Sequence, residues 1–270
     1  MYRHFFDSHV HTDNSVSGKH RITFLCETAV NKKMTGFAVT DHYECDWPNN
    51  QMKISMANSV LDIRRAQTAF SQLVLACGIE LGQPLYNMEE CEKVLKRTNY
   101  DIVLAALHRD PNHDYYSELD FSAMPRNEIE ECLTSYYDEM YKMVKWDGFD
   151  VLAHLTYPLK YIEGVHKIPV NMEKHEDVIR EILRRLVENG KALELNMSGM
   201  RDEFASTMPP LKYLKWFREL GGELVTVGSD TYSAEDLGEG IADGMKMLEE
   251  AGFRYFTMYR SHKPVMVRIL

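Results

Sequence analysis

Six short apolar runs in this 270-residue chain end in residues able to hold a metal ion. The first ends in His9-Val10-His11, where alternation along an extended segment sends both imidazoles to one side. Thr40-Asp41-His42, Gly78-Ile79-Glu80, Leu107-His108, Ala153-His154 and Gly228-Ser229-Asp230 follow in order. Any one of these histidines could be a satisfied rim residue. Repetition at strand end after strand end points instead to a shared site of imidazoles and carboxylates, a donor set suited to zinc, manganese or iron. Six or seven such ligands exceed the three that a single catalytic zinc takes, so two divalent ions are expected, with Glu80 bridging them. Two neighbouring ions can acidify a bound water, orient the hydroxide and stabilise charge on a phosphoryl oxygen during in-line attack. Hydrolysis is therefore the reaction class expected.

The elements that must position these residues alternate. Apolar runs at Phe5 to Val10, Gly36 to Thr40, Leu73 to Ile79, Ile102 to Leu107, Phe149 to Ala153, Ala192 to Leu195 and Leu224 to Val227 read as strands. Between and after them, Thr23 to Met34, Met56 to Gln72, Met88 to Lys96, Asn127 to Trp146, Glu173 to Asn189, Pro210 to Leu220 and Ala234 to Ala251 carry helical spacing. Asn189-Gly190 and Gly221-Gly222 are helix-ending signals. Strand-to-helix repeats imply a parallel sheet, either a closed barrel or an open doubly wound sheet. A barrel would explain the site, because its active face lies at the C-terminal ends of the strands. The tail, Phe253 to Met258 and Pro264 to Ile269, reads as two further extended segments that close or cover the barrel, and Asp110 to Arg126 as a long loop over a site.

The motifs resemble the PHP (polymerase and histidinol phosphatase) family, in the right order over nearly the whole chain. The flanking Gly78-Ile79-Glu80-Leu81-Gly82-Gln83, Leu152-Ala153-His154-Leu155-Thr156-Tyr157-Pro158 and Leu193-Glu194-Leu195-Asn196-Met197-Ser198-Gly199 are most similar to the stand-alone histidinol-phosphate phosphatases of that family. The resemblance implies an α/β fold, a distorted (β/α)7 TIM-like barrel, and up to three metals. It implies His9, His11, Glu80 and Asp230 on the first metal and Glu80, His108 and His154 on the second. The third site would draw on Ser17, His42 and Tyr232, where the family has two further ligands in place of the serine and tyrosine. A weak or absent third metal is thus expected, unless Asp13, His20 or Glu44 substitutes. Tyr232 would partly replace a proton donor to the leaving group, beside Glu80, Asp230 and His42 as the other catalytic residues. Arg201 and Lys160, with Arg109 behind them, are the cations expected on the substrate's phosphate.

Composition sets the limits. An apolar fraction of 44% with 27% charged residues fits a folded globular chain. Length allows one domain, 1–270. A net charge of −10 disfavours nucleic acid as a partner. Met1 to Val10 lacks a signal-like apolar run and no stretch suggests a membrane span, so a cytoplasmic location is expected. Five scattered cysteines without a C-x-x-C pair read as reduced thiols. Oligomeric state is left open. The expected function is a phosphomonoesterase in which metal hydroxide attacks phosphorus, of histidinol-phosphatase type. The alternatives are a phosphoesterase for another small ester or diester, and a metal-binding protein without turnover.

Overall fold

The computed structural model describes residues 4–110 and 112–270, so Pro111, within the expected Asp110 to Arg126 loop, lies outside the described residues. Strands β1 (Phe6–Val10), β2 (Gly36–Val39), β3 (His42–Glu44), β4 (Val74–Gly82), β5 (Ile102–Ala106), β6 (Val151–Leu152), β7 (Ala192–Asn196) and β8 (Val225–Gly228) alternate with helices. The path β1-β2-β4-β5-β6-β7-β8 is parallel throughout, and β3 adds to the far half of β4, with His42 opposite Glu80. A parallel bridge between Val10 and Thr231 joins the last strand to the first. Of the two arrangements left open by sequence, the chain therefore adopts the nearly closed barrel. Every residue of β1, β5 and β7 is buried, as expected for strands covered by helices outside and by side chains inside.

Helices α1 (Ile22–Asn31), α2 (Asn50–Ala69), α3 (Met88–Arg97), α4 (Arg126–Trp146), α5 (Tyr157–Leu159), α6 (Glu176–Glu188), α7 (Leu211–Glu219) and α8 (Ile241–Glu250) surround the barrel. α6 shows why these sequences are helices. Ile179, Ile182, Leu183 and Leu186 fall on one stripe and are buried, while the intervening charges face solvent. Two helices differ from expectation. α2 begins at Asn50, six residues before Met56, because the Asn49 side chain accepts from the Met52 amide and caps it. α8 begins only at Ile241, because Gly238 and Gly240 adopt positive φ and Ser233 to Asp236 form a turn.

Strands β9 (Tyr255–Arg260) and β10 (Lys263–Arg268) form an antiparallel hairpin. It does cover the barrel, at the end opposite the candidate site. The His262 amide donates to the Asp101 carbonyl and its Nδ1 sits 2.9 Å from Asp150, residues that precede β5 and β6. Closure itself comes from β1 and β8. The Asp110 to Arg126 segment contains a short 3-10 turn, Phe121–Ala123. Among the described residues, no helix is long and apolar enough to cross a membrane.

Candidate metal centre

The strand ends converge on one carboxylate. β4 runs past Ile79 to Gly82, which carries Glu80 into the barrel mouth, where it is 1% exposed. Its Oε1 lies 3.2 Å from His108 Nε2 and 2.9 Å from His154 Nε2. Its Oε2 lies 3.1 Å from His9 Nε2, 3.5 Å from His11 Nε2 and 3.2 Å from His42 Nδ1. Asp230 Oδ1 stands 3.3 Å from His11 Nε2 and 3.7 Å from His9 Nε2. The seven residues expected to ligate are thus brought together, with Glu80 between two imidazole sets.

Local backbone makes this convergence possible. His154 and Asp230 both have left-handed φ, 24° and 51°, a conformation costly for residues with a Cβ and characteristic of functional positions. Gly228 is needed for a different reason: a Cβ there would lie 2.5 Å from the His9 Cβ and 2.7 Å from Glu194 Oε1. The glycine of Gly228-Ser229-Asp230 lets β1 and β7 side chains approach β8. Asp7 ties the same corner, accepting from the Ser229 amide at 2.8 Å and its hydroxyl at 2.5 Å.

Glu194 carried no role in the sequence, and Glu44 only that of a possible third-site ligand. Glu194, fully buried in β7, accepts from His9 Nδ1 at 2.6 Å and from the His154 amide at 2.8 Å. Glu44 does the same for His108, with Nδ1 at 2.9 Å, while Gln83 donates to the other Glu44 oxygen at 2.6 Å. A carboxylate behind a ligating imidazole fixes its tautomer and raises its basicity. The signal for Glu194 was a lone acid between Leu193 and Leu195 in a buried strand.

At the third position the expected Ser17 is exposed in a turn, and Ser15 instead reaches His11 Nδ1 at 3.3 Å. Of the three possible substitutes, Glu44 is the acid that joins His42, at 3.5 Å. Asp13 pairs outward with Arg21, and His20 accepts from the Ala234 amide. Tyr232 lies against the His11 ring, with centroids 4.4 Å apart, and its hydroxyl meets His42 Nε2 at 2.6 Å. Arg201 donates to the carbonyls of Ser229 and Asp230, at 2.6 and 3.0 Å, and so sits against the ligand strand. Lys160 pairs with Asp202 at 3.2 Å. Arg109 is occupied by Asp46.

Burial opposes charge on His9, but the Glu194, Glu80 and Asp230 carboxylates outweigh it and hold its pKa well above the usual imidazole value. His108, likewise buried but facing Glu44 and Glu80, is pushed up to about 10. Burial of Glu80 is overcome by His42, His9 and His108, which keep its carboxyl well below the ordinary range. The metal-free cluster thus holds protons where cations are wanted. The buried Nε2 of His11 and Nδ1 of His42 have no hydrogen-bond partner, yet both face carboxylate oxygens. Ligand atoms of His9, His11 and Glu80 lie within 4.8 Å of one another, as do those of Glu80, His108 and His154, and of His42, Glu44 and His108. Divalent ions fit this donor set. Because a metal requires the unprotonated imidazole, protons on His9 and His108 compete with it below their raised pKa values. Zinc affinity of the stripped protein is expected to rise with pH between 6 and 8, by about tenfold per unit for each proton displaced. Calorimetry in buffers of different ionisation enthalpy measures those protons; a titration that releases none would contradict this account.

A nearly closed parallel barrel with an imidazole–carboxylate cluster at its strand ends defines a class of α/β barrels suited to metal binding. Residues 7–198 match the PHP domain family, and the chain belongs to it. A histidinol-phosphatase of Lactococcus lactis is 23% identical over 264 residues, spanning 96% of this chain and 94% of that protein. A Thermotoga maritima protein named "Probable histidinol-phosphatase" is 26% identical over 252 residues, spanning 93% and 94%. The crystal structure of histidinol phosphate phosphatase from Lactococcus lactis, complexed with zinc, L-histidinol and phosphate, superposes with a TM-score of 0.83 at 21% identity, covering 96% of this chain and 98% of that one. That likeness confirms the barrel.

Proposed function

We propose that the chain is a metal-dependent phosphomonoesterase of the histidinol-phosphatase type, releasing inorganic phosphate and an alcohol from a small phosphorylated substrate. The observation that carries this reading is Glu80, one carboxylate with an imidazole set at each oxygen. His9, His11, Glu80 and Asp230 would hold one ion, and Glu80, His108 and His154 a second. When bound, two divalent ions supply Lewis acidity toward phosphoryl oxygens and a water acidic enough to attack phosphorus. Glu194 and Glu44 hold His9 and His108 in the orientation this needs. Burial, with Asp230 and Glu80 beside it, raises the Tyr232 pKa well above its usual value, so its hydroxyl stays protonated and would hydrogen-bond a leaving oxygen while being a weak acid toward it. Arg201, anchored on two carbonyls of the Ser229–Asp230 turn, offers its remaining donors to the phosphate. Lys160, paired with Asp202 at 3.2 Å and 3.5 Å from the Ser198 hydroxyl, is the second cation proposed for the phosphate. The names of the relatives at 23% and 26% identity support this substrate class.

Tyr232, which meets His42 Nε2 and stands where the family has a further ligand, favours a second reading, a phosphoesterase for a different small ester. Protein loaded with zinc, manganese or ferrous iron, given a panel of phosphate esters including L-histidinol phosphate, separates the readings by phosphate release. Fastest release from L-histidinol phosphate is the expected result, and preference for another ester would favour the second reading. No release from any ester at full metal loading would leave metal binding without turnover.

A further inference from the structure

We infer that Asp110, His113 and Cys132 form a separate zinc-binding site, joining the loop after β5 to the first turns of α4. This inference is independent of the phosphatase reading. The three ligand atoms lie within 4.8 Å of one another, with Asp110 Oδ2 2.7 Å from His113 Nδ1 and 3.3 Å from Cys132 Sγ. Oxygen, nitrogen and sulfur in one cluster suit zinc, whose bonds of about 2.0–2.3 Å place tetrahedral ligands roughly 3.4 Å apart. The carboxylate and thiol already stand at that separation. The imidazole has to retreat from Asp110 by a fraction of an ångström, and its side chain is 24% exposed.

Three further observations support a cation here. The Asp110 side chain is completely buried and among the described residues no lysine or arginine pairs with it; the Asn112 amide donates to its Oδ1 at 2.6 Å, which leaves Oδ2 facing His113 and Cys132. The Tyr116 hydroxyl is buried beside the Cys132 thiol and has no hydrogen bond of normal geometry. Glu128, one helical turn before Cys132, stands 3.8 Å from His113 Nε2. It lies at the nitrogen opposite the one that faces Asp110, beyond hydrogen-bond reach, and would orient the imidazole by closing that gap. Zinc would take the place of the Cys132 thiol proton, which passes to solvent. The bound ion would brace the segment whose Tyr116 amide donates to the His108 carbonyl at 2.9 Å.

Cobalt titration of the metal-stripped full chain tests this, because a cysteine thiolate on cobalt gives a near-ultraviolet charge-transfer band that the sulfur-free ligand set around Glu80 cannot produce. The band is expected in the wild type and in Glu80→Gln, absent in Cys132→Ser, and shifted to at least tenfold higher cobalt concentration in His113→Ala. Elemental analysis should show one metal fewer in Cys132→Ser. His113 is partly exposed, so its variant keeps the test valid if Cys132→Ser fails to fold. No band at saturating cobalt, a band surviving Cys132→Ser, or a band unaffected by His113→Ala would each overturn the site.

Discussion

Replacing Glu80 with glutamine is expected to lower phosphate-ester turnover by about a thousandfold and to reduce metal content by at least one ion per chain, since deleting one partner of a buried charge cluster costs about 3–5 kcal/mol. Both oxygens are in use, Oε1 toward His108 and His154 and Oε2 toward His9, His11 and His42. An amide keeps the shape but brings one acceptor oxygen and no charge. Its NH2 would face either imidazole set as a competitor for the position an ion should occupy. The effect should reach both metal positions, whereas an equivalent change at Asp230 touches one. Turnover and elemental analysis on the same preparation give the answer. Full metal content with wild-type turnover would refute the bridging assignment.

The second large effect is expected at Glu194, which need not touch a metal at all. Glu194→Gln should weaken binding at the first position and slow turnover by about 10- to 100-fold, the range found when the group orienting a ligating histidine is removed. The carboxylate accepts from His9 Nδ1, from the His154 amide and from Asn196 Nδ2 at 3.1 Å. Glutamine can satisfy some of these but must turn a donor toward at least one. It also removes one of the charges that hold His9 basic. Metal affinity measured beside kcat discriminates a positioning role from general destabilisation, with circular dichroism reporting the fold. Unchanged affinity and kcat would assign Glu194 to packing alone.

The ligands were legible in the sequence because parallel strands announce themselves by apolar runs, and a polar residue that ends such a run is conspicuous. His9, His11, Glu80, His108, His154 and Asp230 stand at such ends, and the barrel gathers them. Residues behind the ligands were harder to see. Glu194 lies inside a strand, and alternation alone leaves open whether its side chain points into a barrel or toward a helix. β3 was missed because His42-Tyr43-Glu44 is too short for a periodic signal, and only its pairing with Glu80 to Gly82 makes it a strand. That same pairing brings Glu44, rather than Ser17, to His42. The expected α8 start failed where glycines with positive φ intervened, and the α2 start where a polar first turn relied on a side-chain cap. Tertiary pairing and capping chemistry, rather than hydrophobic periodicity, decided these points.

The bridge between Val10 and Thr231 would give a metal bound here a role in assembly. β1 and β8 meet there, with the His11 amide donating to the Thr231 carbonyl and the Asp230 amide to the His9 carbonyl, each at 2.9 Å. His9 and His11 lie on one side of this seam and Asp230 on the other. An ion shared among them would act as a clasp between the two ends of the barrel. Such an ion would gain its full ligand set only after the intervening strands had docked, so its uptake would come late in folding and would then oppose parting of the seam. Chemistry and barrel closure would then depend on the same atoms.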